Sequence, residues 1–228
     1  MKPFRLTKML YLFPVLVLVM IAGVAIGLPT TVEGIAPYDS TFSECLVCGR
    51  MQTIERRWMK SPKETVDAYA AALCSLDLCV DRCPESAWDE PVAELRFCQV
   101  VFHTLFFTDF SLEQNEDSIR DQDFHRQHAD FFRDYEDLED RKQQLLYDRP
   151  SIKEYLQHCR TKSARVVAAE TEQTLIARCG FRRREFSRAE LHVCSIRHIS
   201  HHAAQLSLRL KIDIGQGAPW VGSGWRDA

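Results

Sequence analysis

Three times in this chain a serine is followed three residues later by a glutamate just as an apolar 3.6-residue period begins: Ser61-Pro62-Lys63-Glu64, Ser151-Ile152-Lys153-Glu154 and Ser187-Arg188-Ala189-Glu190. In such a capping box the serine side chain accepts from free amides of the first turn and the glutamate reaches back to the serine amide. Three explicit helix starts predict an all-α fold. The first helix is expected from Ser61 to about Cys83, with Pro62 at the tolerated first position and an inward stripe of Val66, Tyr69, Leu73, Leu76, Val80 and Cys83. The third is expected from Ser151 to about Thr174, with Ile152, Tyr155, Leu156, Cys159, Val166 and Val167 inward, before Gly180 breaks the chain. The fourth is expected from Ser187 to about Lys211.

A second helix, entered through Asp89-Glu90-Pro91, carries Val92, Leu95, Val100, His103, Phe106, Phe107 and Phe110 and ends near Leu112. It is aromatic enough to be buried. Between it and the third helix lies Ser111 to Pro150, rich in Asp, Glu, Gln and Arg yet containing Phe124, Phe131, Phe132 and Tyr135. A connection that long inside one domain is functional or ordered on the surface. It is expected to cross over and pack its aromatics on one end of a four-helix bundle. Gly215 to Trp225 has no period and is expected to be an irregular tail.

With 228 residues, 46% of them hydrophobic, the chain can bury one substantial core. Its 29 basic and 32 acidic residues give a formal charge of −3 without a dominant basic block, which removes the counterion-release energy of nucleic-acid binding. Arg182-Arg183-Arg184, followed by Glu185, reads as a solvated loop.

Lys2, Arg5 and Lys8 precede a run without charge from Met9 to Leu28, long enough to cross a hydrocarbon layer of roughly 30 Å as a helix. The chain therefore divides into an N-terminal membrane segment (1–30), a linker (31–58) and a helical domain (59–228). The absence of Lys or Arg from there until Arg50 predicts a cytoplasmic N-terminus with the domain across the membrane. A signal peptide cut after Ala25-Ile26-Gly27 is the competing reading. A start at Met59 would give a cytoplasmic protein.

The nine cysteines do not form a compact disulfide framework. Cys74, Cys79, Cys83, Cys98, Cys159 and Cys194 read as buried apolar residues of a reducing compartment. Cys45 and Cys48 have zinc-ribbon or redox spacing, but a four-ligand zinc site needs a second pair.

The chemistry concentrates in Arg197 to Leu208, where His198 and His202 stand four residues apart in an amphipathic helix. Side chains at that spacing share a face and can converge on one ion. At 100° per residue Leu191, Ser195, His198, His202, Leu206 and Arg209 fall within roughly 80°, the width of a core-facing stripe, with His201 at its edge. His103 is the candidate third donor, brought alongside by a bundle. Two desolvated imidazoles without partners would be costly, which favours a metal site over a bland core pair. His125 and His128 read as exposed loop residues, and His158 and His192 as ordinary histidines outside the seam.

Phe102 to Phe110, Arg197 to Arg209 and Trp220-Val221-Gly222 together resemble the DinB-like (YfiT-like) metalloprotein superfamily, over roughly Ser61 to Gly224. The resemblance implies a four-helix bundle with one divalent metal held by a histidine of the second helix and two of the fourth, here His103, His198 and His202. It also implies thiol-dependent S-transfer or related chemistry with low-molecular-weight thiols, although many members have no assigned reaction. The family name reflects DNA-damage induction and implies no nucleic-acid partner. Zn, Ni, Mn or Fe would each suit three imidazoles, and such an ion lowers the pKa of a bound water or thiol. The expected function is thus a divalent-metal-dependent transferase or hydrolase acting on a small molecule. A non-catalytic metal-binding or stress-response module is the alternative, and a homodimer is a candidate assembly. Asp109, Gln99, Gln205 and Ser195 are the nearest polar groups that could orient the imidazoles, Asp109 reading equally well as a solvated helix end.

Overall fold

The computed structural model describes residues 62–133, 143–182 and 185–226. The expected membrane run and the Cys45–Cys48 pair lie outside these residues. Among the described residues the chain is all-α: α1 (Pro62–Arg82), α2 (Glu85–Trp88), α3 (Phe97–Leu112), α4 (Asp123–Gln127), α5 (Arg149–Ala169), α6 (Glu172–Ile176) and α7 (Arg188–Ile214), with a 3₁₀ turn at Ser118–Asp121. None of these helices is long and apolar enough to cross a membrane.

The four long helices close around one core, α1 and α3 each packing against both α5 and α7. Side-chain pairings set their directions. Tyr69 meets His192 and the Cys79 thiol donates to the Ala203 carbonyl, so α1 and α7 run parallel. Cys159 donates to the Leu105 carbonyl and Lys162 to Asp109, so α3 and α5 are parallel too. Lys153 binds Asp77 while Arg149 reaches the Cys83 carbonyl, which makes α1 and α5 antiparallel. A parallel α3–α5 pair forces the chain back along the bundle, and residues 113–133 and 143–148 belong to that return.

The return does not sit on one end of the bundle as expected; it lies along the flank of α3 and α5. Phe102 stacks on Tyr147 at 4.1 Å between ring centroids and meets Phe131 at 5.3 Å, while Phe132 stands edge-on to Tyr155 at 4.9 Å. Because this aromatic layer covers its outer face, every residue of α3 except His103 and Phe107 is buried. Tyr135 lies outside the described residues.

Local signals explain the other departures. The second long helix starts at Phe97, not near Val92, because Pro91 to Arg96 closes a turn in which Arg96 pairs with Pro91 and the Val92 amide donates to the Leu95 carbonyl. Gln99 then completes a capping arrangement by accepting from the Arg96 amide. At α5 the Asp148 carboxylate accepts from the Ser151 amide at 2.9 Å, so the helix begins three residues earlier than a Ser151 cap would allow. That helix ends at Ala169, and Thr171 caps the separate short helix α6. The Ser187–Glu190 box forms as expected, and α7 runs on to Ile214, where Gly215 terminates it with φ 74°.

Neither a glycine nor a basic residue caps the C-terminus of α3. Its last carbonyls are instead met from neighbouring helices: the Lys162 ammonium reaches the Asp109 carbonyl, and the Arg188 guanidinium those of Ser111, Leu112 and Glu113. Helix-end carbonyls without partners are costly when buried, which accounts for two cations in the core. The irregular tail folds back along α1, with Val221 buried beside Ala71 and Cys74 and the Gly224 amide donating to the Asp67 carbonyl.

Candidate metal centre

His103 and Phe107 stand one turn apart on α3 and face α7, the one place where α3 reaches the surface. His198 and His202 stand one turn apart on α7 and face back. The ring centroids lie 5.3 Å (His103–His198), 5.1 Å (His103–His202) and 4.6 Å (His198–His202) apart. One nitrogen from each ring lies within 4.8 Å of the other two, and all three side chains are partly buried. This is a set of donors that can hold a metal ion. Phe107 forms a wall beside it, 4.8 Å from the His103 ring and 5.8 Å from that of His198.

The donors suit a borderline transition metal. Burial, and then the neighbouring His103, push the pKa of His202 down to about 4. Its imidazole is therefore neutral near pH 7 and keeps a lone pair for an ion. His202 Nδ1 lies 2.9 Å from the amide oxygen of Gln205, one turn further along α7. His201 is exposed and touches only the edge of the group, its ring 5.1 Å from that of His202.

Of the four polar residues expected near the imidazoles, Gln205 meets a triad histidine, His202. Gln99 is spent on the α3 cap and on the Gln143 and Leu145 carbonyls. Ser195 lies buried beside the Tyr69 hydroxyl. Asp109 is the larger correction, because it is a fully buried charge rather than a solvated helix end. It accepts from Tyr155 at 3.0 Å, from Gln122 at 3.3 Å, from His125 Nε2 at 2.6 Å and from Lys162. Burial pushes its carboxyl up, but hydrogen bonds from His125 and His158 and the charge of Lys162 outweigh this and hold it well below the ordinary range.

His125 is likewise not the exposed loop residue expected. It is buried, stacked on Phe132 at 3.7 Å, and burial lowers its pKa against the pull of Asp109. His128 is partly buried and bonds the Phe124 carbonyl. His158 stacks on Phe124 at 4.1 Å. His192 lies outside the triad as expected but deep in the core, accepting from the Tyr69 hydroxyl at 3.1 Å and reaching Glu170 at 3.3 Å. Burial, and then the charge of Arg188, lower its pKa to about 4.

Among the described residues no cysteine is in a disulfide. Cys74, Cys79, Cys83, Cys98 and Cys159 are buried as expected, Cys179 joins them, and Cys194 is only partly covered. Arg182 is exposed and pairs with Asp117, while Arg183 and Arg184 of the expected solvated loop lie outside the described residues. No protein-family model, no curated protein and no solved structure matches this chain.

Proposed function

We propose that this chain is a DinB-like four-helix bundle protein that binds one divalent transition metal, of the Zn, Ni, Mn or Fe type, through His103, His198 and His202. In this reading it uses the ion for group transfer or hydrolysis on a small molecule, with low-molecular-weight thiols as the favoured substrate class. The observation that carries the reading is the convergence of three ring nitrogens within 4.8 Å from two separate helices. The resemblance of Phe102–Phe110 and Arg197–Arg209 to that superfamily supports it.

The two helices provide the frame. α3 is locked by the aromatic layer on its outer face, and α7 by its capping box and by His192, so the rings are held by rigid elements rather than by a loop. Partial exposure at the seam lets a small ligand approach from solvent along the Phe107 wall. An ion bound there would supply Lewis acidity, lowering the pKa of a water or thiol that reaches it so that a nucleophile exists near neutral pH. The Met9–Leu28 run supports a membrane-anchored setting for this chemistry.

Elemental analysis of the purified full-length chain tests the metal. Wild type is expected to carry close to one ion per chain, and His103→Ala and the double variant His198→Ala, His202→Ala almost none. Equal metal content in all three removes the reading. Conjugation of thiols to electrophiles by the loaded wild type then separates a transferase from a metal-binding module without turnover.

A further inference from the structure

Gln205 occupies the position from which one ligand of the triad can be set. It lies on the exposed side of α7, three residues after His202, and its amide oxygen stands 2.9 Å from His202 Nδ1. A neutral imidazole carries a single N–H, so the nitrogen that donates is not the one that can bind a metal. With Nδ1–H given to the Gln205 oxygen, the lone pair is left on Nε2. The same bond fixes the rotation of the ring about its side-chain torsions, since Gln205 and His202 ride on one rigid helix. An orienting acceptor on the far nitrogen of a ligating histidine commonly changes metal affinity by about 10–100-fold.

We propose that Gln205 is the positioning residue of the metal centre: its side-chain oxygen holds the His202 Nδ1 proton and presents Nε2 to an ion shared with His103 and His198. The inference rests on the metal-binding reading above and adds to it a specific tautomer and the residue that selects it. Gln205 does not ligate the metal itself. Its amide is neutral, so it orients the ring without adding negative charge, whereas a glutamate at this position would accept the same proton and raise the basicity of the ligand.

Two measurements on the full-length chain test this. The first is the affinity for Zn²⁺, by competition with a chromophoric chelator, in wild type, Gln205→Ala and Gln205→Glu. Alanine is expected to weaken binding about tenfold, at the lower end of the usual range because the bond is exposed, and glutamate to restore it to wild-type strength or better. Both residues favour an exposed helix position, so loss of fold is not expected, and far-UV circular dichroism checks it. The second is the ring ¹⁵N pattern of His202 without metal: the Nδ1–H form is expected to dominate in wild type and to give way to a mixture in Gln205→Ala. If wild type binds Zn²⁺ and the alanine variant matches it within twofold, or glutamate fails to rescue, the positioning role is wrong while the metal site stands. If wild type binds no metal, the site and the role fall together.

Discussion

Two histidine-bearing polar clusters share α3, about 9 Å apart along its axis and on different faces, and they are built on opposite rules. Around Asp109 the partners are complementary: a carboxylate meets an ammonium, an imidazole, a phenol and an amide, and all but the half-buried Gln122 amide is buried. Around His103 three imidazoles face one another, and His103 disfavours protonation of His202. The first arrangement is complete without a ligand. The second offers three imidazole nitrogens that can hold a cation, and all three of its rings are partly exposed. Histidine content alone does not tell the two clusters apart; charge complementarity does.

Breaking the complementary cluster should cost most. Asp109→Ala removes one of the two carboxylates that meet the buried Lys162 ammonium, Glu113 being the other, and Lys162→Met takes that ammonium away from Asp109. Each is expected to lower unfolding free energy by about 3–5 kcal/mol. His103→Ala in metal-free protein removes a half-buried ring and should cost about 1 kcal/mol. Urea midpoints of the metal-free variants decide the matter: comparable losses at positions 103 and 109 would erase the distinction between the clusters.

Acid sharpens it. The pKa of His192 is lowered from the ordinary 6.5 to about 4 by burial and by Arg188. Between these values the unfolded chain takes up a proton that the folded chain refuses. The stability linked to His192 is therefore fully present above pH 6.5, declines as pH falls through that window, and is gone below about pH 4. The total is on the order of 3 kcal/mol. Lowered pKa values at His202, His125 and Asp109 add to the loss, the carboxylate doing so only at still lower pH. His192→Gln should flatten the fall in urea midpoint between pH 7 and pH 4.5 by close to one proton's worth; an unchanged slope would show that the buried imidazole is not what acid attacks.

The His198–His202 pair was legible in the sequence because its geometry is local: residues four apart on a helix share a face whatever the rest of the fold does. Choosing His103 as the third donor needed only an inward position on a buried helix, and the structure brings that ring to the pair. The Asp109 cluster was illegible for the opposite reason. Its members come from α3, from α5 and from the return segment at Gln122 and His125, and no local period joins them. A weak signal existed in Asp109 and Lys162, each a charge set among apolar residues of its own helix. Helix starts divided in the same way. Ser187 caps α7 as its Ser-x-x-Glu pattern says, but at α5 the identical pattern loses to Asp148, whose carboxylate takes the Ser151 amide and hydroxyl.

That division yields the smallest effect and a clean separation of frame from site. Ser187→Ala should cost about 1 kcal/mol through the lost α7 cap, and Asp148→Ala about the same at α5. Ser151→Ala, whose side chain caps nothing, should cost less than half as much. Metal affinity should not follow these losses. Ser187 precedes His198 by eleven residues, about 16 Å along the helix, and the intervening turns are held by His192 on Tyr69 and Glu170. Thermal midpoints and Zn²⁺ competition on the three variants therefore test whether the triad depends on the whole of α7 or only on the turns packed against α3. Weakened metal binding in Ser187→Ala would mean that fraying at the capped end reaches the donors, and the frame and the site would then have to be treated as one unit.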